Sequence, residues 1–179
     1  MLWLISNNEK LYPHLSESYY FMNFGELNLG GGASFLVHNI KSFIGSGIKN
    51  KIIALFDNDT AGLKEMKQLD NLKIPDNIKI SRYPDIKLAK SYPTITSDGK
   101  KNINGIACSI EMYLGIDVLK NQPIKLKGYE NSIGKFQGEI LEKKLIQKRF
   151  EKKVKNKEII SSEWIEMKEL LDLIIRAWQ

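Results

Sequence analysis

The chain has 179 residues, 42% hydrophobic and 27% charged, with a net charge of +6; this length suits one domain with an appended segment. No apolar run approaches the ~20 residues a membrane helix needs, and the start lacks the basic region and cleavage site of a signal peptide, so a cytoplasmic protein without a membrane partner is expected. The one cysteine, Cys108, excludes an internal disulfide framework and a cysteine zinc cluster, and with His14 and His38 as the only histidines a catalytic thiol is not expected.

In chain order, apolar residues from Leu2 to Leu11 recur at helical intervals until Pro13 stops them. Tyr19 to Phe24 is aromatic and predicts a strand ending near Gly25. Gly30, Gly31 and Gly32 form a turn into a helix from Ala33 to Ile44, which Gly45 and Gly47 end. Ile52 to Phe56 shows no polar alternation, as expected of a parallel strand covered on both faces. A helix follows to about Leu69, then a strand near Ile78 to Tyr83. Residues 85 to 105 read as a long polar loop, and Ser109 to Leu114 as a short helix ending at Gly115. Two further helices are expected, Gly138 to about Lys155 and Ser161 to Trp178. Trp164, Met167, Leu170, Leu171, Ile174 and Trp178 make the apolar face of the second, a face for packing rather than base stacking.

The segment Phe56-Asp57-Asn58-Asp59-Thr60-Ala61-Gly62 carries the chemistry. In open α/β sheets ligands gather beyond the carboxyl ends of the strands, where Asp57 and Asp59 emerge on the same side. Two carboxylates this close raise each other's pKa unless a cation or a basic group sits between them. Mg2+ (or Mn2+), held by carboxylates and substrate phosphate oxygens, answers that need. Either aspartate also suits the N-cap of the helix beginning near Thr60, and the roles are compatible.

Other candidates are less specific. Glu111 is a carboxylate in an apolar stretch, readable as a ligand of a second ion or as a solvent-facing or capping residue. Gly31, Gly32 and Ser34 precede or open a helix, either as a plain turn or as a backbone contact to nucleic acid. Residues 120 to 157 hold twelve Lys or Arg against four Glu, a balance that gives salt-dependent affinity for DNA or RNA or is merely solvated. Within it Lys143 is a candidate phosphate contact, or the partner of Glu139 in a helical ion pair.

Phe-Asp-Asn-Asp-Thr-Ala-Gly after an apolar strand resembles the Asp-x-Asp motif of the Toprim domain of primases, topoisomerases and OLD-type nucleases. Leu11 to Leu15, Gly31 to Ser34, Ser109 to Gly115 and Phe136 to Ile140 are similar, in their order, to the HEPN/Toprim-associated nuclease branch. The resemblance implies an α/β, Rossmann-like, mostly parallel sheet flanked by helices over residues 1–120, with a basic C-terminal helical segment over 121–179. It implies Mg2+-dependent hydrolysis of DNA or RNA, tRNA included, by a phage-defence effector with a protein partner or homo-oligomeric assembly. Asp57 and Asp59 would be catalytic metal ligands, joined by Glu111. The family's Glu, a metal ligand and general acid or base, belongs to an earlier strand; Glu9, Glu17 and Glu26 do not fit it, so the chain is expected to begin inside the domain and, lacking that proton-handling group, could bind metal without cutting. Two alternatives stand beside the nuclease: a catalytically dead remnant that binds nucleic acid or a partner protein, and a primase- or topoisomerase-type module. A phosphatase or receiver-type phosphoacceptor role for Asp57 is a third.

Overall fold

The computed structural model describes residues 19–22, 30–155 and 161–178. The helix expected over Leu2 to Leu11, the candidates Glu9, Glu17 and Glu26, and the last two residues of the strand expected over Tyr19 to Phe24 lie outside them; residues 19–22 are not strand.

Helix α1, Ala33–Ser46, stops at Gly47, whose φ of 65° is the left-handed conformation that favours glycine. The N–H of Ile48 then donates to the carbonyl of Phe43 at 3.3 Å, closing the helix end. Strand β1 is Ile52–Phe56, as the apolar run predicts, followed by the short β2, Asn58–Asp59, helix α2, Thr60–Met66, and β3, Ile78–Arg82. β1 and β3 pair in parallel, Ile52 opposite Ile78 and Phe56 opposite Arg82, so β1, α2 and β3 form a parallel pair with a helical crossover. Both faces of β1 are covered. Ala54 and Phe56 pack with Val37 and Ile40 of α1 in a small core, while Ile53 and Leu55 pack against the larger core on the other side.

The fold is mixed α/β, with short strands in small sheets. Among the described residues only the β1–β3 strand pair is parallel, apart from isolated parallel bridges at Asp59–Ile106 and Thr94–Ile124, so the mostly parallel sheet that the resemblance implied is not what these strands form. The other three pairs are antiparallel: β2 with β6, Ala107–Cys108; β4, Tyr92–Pro93, with β5, Lys100–Lys101; and β7, Ile124–Glu130, with β8, Lys135–Ile140.

Three expectations are corrected. Residues 85 to 105 are not a free excursion: Ile86, Ala89, Tyr92 and Ile103 are buried, and the Ile103 N–H donates to the Ala89 carbonyl at 2.9 Å. Their apolar side chains anchor a segment whose polar composition masks them. The helix expected from Gly138 begins instead as α4 at Lys143, ending at Lys155, because Phe136, Gly138 and Ile140 alternate with polar residues and pair with β7. Consequently Glu139 lies on a strand and pairs with Lys127 at 2.6 Å, not with Lys143.

Further elements include a 3-10 turn, Ile110–Tyr113, the short helix α3, Ile116–Leu119, and α5, Ile165–Arg176. Trp164, Met167, Leu170, Leu171 and Ile174 are buried beside Met112, Tyr113, Ile124 and Phe150, which fulfils the packing expectation for this face. Lys153 shows why positive charge at this end is not all available to a ligand. Its Nζ donates to the carbonyls of Leu114 (3.0 Å) and Glu163 (2.6 Å) and to Asp117 (2.7 Å), and lies 4.5 Å from the centre of the Trp164 ring. A buried ammonium with that many acceptors pins α4 to its neighbours.

Candidate functional site: an acidic centre at the end of β1

Asp57 leaves the carboxyl end of β1, and the two residues of β2 lead into α2. Asp59 is the N-cap of that helix: its Oδ1 accepts from the Gly62 N–H at 2.7 Å, satisfying one of the free amides of the first turn. Its Oδ2 accepts from Gln137 Nε2 at 3.1 Å, and Gln137 Oε1 accepts from the Ala61 N–H at 2.7 Å. Thr60 is held as well, its Oγ1 donating to the Phe136 carbonyl at 2.7 Å. Strand β8 thus clamps the turn that carries the aspartates. Gly62 is required there, since a Cβ would collide with the Asp57 carbonyl and approach Asp59 Oδ1 to 3.2 Å.

Between the aspartates, Asn58 points the other way, as alternation on a strand dictates. Its Nδ2 donates to Asp85 Oδ1 at 2.9 Å, and its Oδ1 accepts from Arg82. Arg82 also pairs with Asp85 at 2.7 Å, and its hydrogen bond holds the Asp85 carboxyl below its usual range. This network fixes the β1–β3 end without occupying Asp57.

Asp57 is in a different position. Burial pushes its carboxyl up to about 7, and repulsion from Asp59 and Glu111 adds to the rise; Lys143 and the Ile110 N–H act the other way. Glu111 comes from the 3-10 turn and is only 6% exposed. Its Oε2 accepts from Ser109 Oγ at 2.6 Å, and its Oε1 lies 3.5 Å from Lys143 Nζ. Burial and the same carboxylates also push the Tyr83 hydroxyl well above its ordinary range. The fold therefore brings Asp57, Asp59 and Glu111 into one electrostatic neighbourhood, with Lys143 at its rim. Among the described residues, however, no three His, Cys, Asp or Glu side chains converge as a ready ligand set.

The glycine turn faces another part of the same region. Gly30, Gly31, Gly32 and Asp57 line one cavity of about 800 Å3, with Tyr83 and several apolar side chains. Gly32 is the N-cap of α1 with φ 98°, which favours glycine, and Gly31 has open space where a Cβ would stand. Ser34 is exposed in the first turn of α1. The partners that the sequence reading did not single out are Ser109, Gln137 and Tyr83. Ser109 and Gln137 lie inside segments that carried the resemblance, but nothing in one sequence shows that Gln137 reaches 78 positions back to Asp59.

A hard divalent cation is the kind of ligand that carboxylate chemistry of this sort suits. A desolvated carboxylate with two acidic neighbours gains most from a cation, and oxygen donors select Mg2+ or Mn2+ over softer metals. Comparison with protein-family models, curated proteins and solved structures finds no match to this chain.

Proposed function

We propose that this chain is a Toprim-type, Rossmann-like module of a cytoplasmic nuclease that hydrolyses DNA or RNA phosphodiesters with Mg2+ or Mn2+ in phage defence. The observation that carries the reading is Asp57: a carboxylate at the carboxyl end of a strand covered on both faces, raised toward neutrality by burial and by two acidic neighbours. Such a group is costly in a metal-free fold and is accounted for by a site that takes up a cation. The donor set fits a hard divalent ion held by one or two carboxylates and completed by substrate oxygens, not a preformed protein cage.

Asp57 would be the principal ligand. Asp59 would add an oxygen while still capping α2, and Glu111, held by Ser109, would be a further ligand. A bound ion would polarise a nonbridging phosphate oxygen and assist ionisation of the attacking water. Lys143 would meet the phosphate from the rim, its present contact with Glu111 keeping its ammonium close to the acidic centre. Gly31, Gly32 and Ser34 would offer the amide end of α1 to the nucleic-acid backbone. A partner protein or self-association would complete the effector.

A second reading, a module that binds nucleic acid or a partner without cutting, is favoured by Asp59. Both of its carboxylate oxygens already accept hydrogen bonds with a structural purpose. One experiment separates the two. The chain is incubated with plasmid, linear DNA and tRNA in Mg2+ or Mn2+, beside Asp57→Ala and Asp59→Ala. Cleavage lost in both variants supports the nuclease; no cleavage of any substrate with either metal removes it in favour of the binding module.

A further inference from the structure

The charged residues of α4 sort by face. Lys153 and Arg149 are turned toward the body of the protein beside the buried Ile146 and Phe150, Lys153 bonded as described above and Arg149 Nη1 donating to the Val118 carbonyl at 3.3 Å. Lys144, Lys148, Lys152 and Lys155 are exposed. At 3.6 residues per turn these four fall within an arc of about 80°, in a row ~16 Å long. Among the described residues none of the four makes an ion pair, and Glu151 is the only acid in the helix.

This arrangement costs the fold stability. Lys144 with Lys148, and Lys148 with Lys152, are like charges four residues apart, which repel on a helix. Lys143 and Lys144 also stand in the first turn, which holds no acidic residue and where the helix dipole disfavours positive charge. Among the described residues nothing compensates the row, whereas Lys64, Lys101 and Lys127 each have an acidic partner.

The row also has a direction. It starts one residue after Lys143, whose Nζ lies 3.5 Å from Glu111 at the acidic centre, and leads away along the helix. A linear polyanion laid on it therefore passes the rim of that centre. A membrane surface fits less well, because Ile146 and Phe150 are spent on the core and Leu145, 38% exposed, is the one exposed large apolar side chain of the helix.

We propose that Lys144, Lys148, Lys152 and Lys155 form a track for the phosphate backbone of a nucleic acid and guide it to the acidic centre. Lysine charges on a helix surface meet phosphates and carry no sequence information, so the track holds any sequence. The inference rests on the nucleic-acid reading above and names the surface that holds the substrate.

The test is fluorescence anisotropy of the full chain in EDTA, with a labelled dT15 strand and a labelled duplex of the same length, from about 50 to about 200 mM salt. Replacing the row, Lys144→Gln with Lys148→Gln, Lys152→Gln and Lys155→Gln, is expected to weaken binding about tenfold or more at the lower salt and to make the slope of log K against log salt shallower by about 3. Arginine at the same four positions should keep both. Lys41→Gln with Lys49→Gln, Lys73→Gln and Lys87→Gln removes as much charge from exposed positions on other elements and should change binding far less. Because the glutamine variant of the row relieves like-charge repulsion, its melting temperature should equal or exceed that of the wild type, so lost binding is not lost folding. Tighter binding of the strand or of the duplex names the form of backbone the track takes.

An unchanged slope in the row variant, an equal loss in the variant of the other four lysines, or a lower melting temperature of the row variant overturns the track. So does lysine-dependent binding of poly-glutamate or of phosphatidylserine vesicles that is tighter than that of nucleic acid, which assigns the row to an acidic protein or a membrane. Cleavage in Mg2+ that proceeds unchanged in the row variant defeats the track alone. Row-dependent binding without cleavage defeats the nuclease alone.

Discussion

Replacing Asp57 by Asn is expected to stabilise the metal-free protein at alkaline pH. The carboxyl is raised from 3.8 to about 7, so between those values the folded state holds a proton that the unfolded state has released. Stability from this group is therefore complete below about pH 4, falls as pH rises toward 7, and is flat above. At ~1.4 kcal/mol per unit the loss has an upper bound of about 4 kcal/mol, and partial solvent contact reduces the expectation to about 2 kcal/mol. Asn keeps the shape and an acceptor for the Ile110 N–H but carries no charge. Urea unfolding of both proteins in EDTA should show the Asn variant more stable by about 2 kcal/mol at pH 8.5, the gap closing to within about 1 kcal/mol at pH 4.5. Groups that titrate alike in both proteins cancel in the difference. Millimolar Mg2+ should reverse the order at pH 8.5, because the wild type gains binding energy that the variant lacks. A variant that is less stable in EDTA at pH 8.5, or a gap equal at both pH values, would refute the assignment of Asp57 as a destabilised carboxylate.

Gly62→Ala should destabilise by about 1–3 kcal/mol in spite of alanine's higher helix propensity, because the new methyl meets the Asp57 carbonyl; thermal unfolding by circular dichroism measures it. Asp59→Ala should lower stability by about 1 kcal/mol through loss of the cap, whereas Asp59→Asn should retain most of it; comparing their melting temperatures in EDTA isolates the capping role from any metal role. Tyr92→Phe should leave stability unchanged or raise it by about 1 kcal/mol, because the buried hydroxyl has no hydrogen-bond partner and burial pushes its pKa up to about 12; chemical denaturation would expose a loss if that oxygen is in fact satisfied.

Local pattern alone determined much of this molecule. The unbroken apolar run specified β1 because a strand covered on both faces has no polar side, and the two cores on either side of it bear this out. The helix after Asp59 and the glycine stop at Gly47 follow from backbone hydrogen bonding within a few residues. The hairpin is hard to read from the sequence although Ile124, Lys125, Leu126 and Lys127 alternate, because four residues are a short period and the lysine-rich stretch that follows has helical spacing. The buried anchors of residues 85 to 105 are not legible in the sequence because apolar side chains in an irregular segment have no period to reveal them.

For the acidic centre, sequence spacing sufficed to put Asp57 and Asp59 at the end of one strand, since residues two apart on a strand face the same way. Only the tertiary structure decided which of them is already engaged. Asp59 is held at both oxygens, by a residue on the same turn and by Gln137 from β8, while Asp57, with the Ile110 N–H as its backbone donor, is raised by burial and by two acidic neighbours. It also moved Lys143 from a helical pair with Glu139 to the rim beside Glu111. The physical reason is one of range: strand alternation and helix capping act over two to four residues and are written locally, whereas desolvation and charge repulsion depend on what the rest of the chain packs around a group.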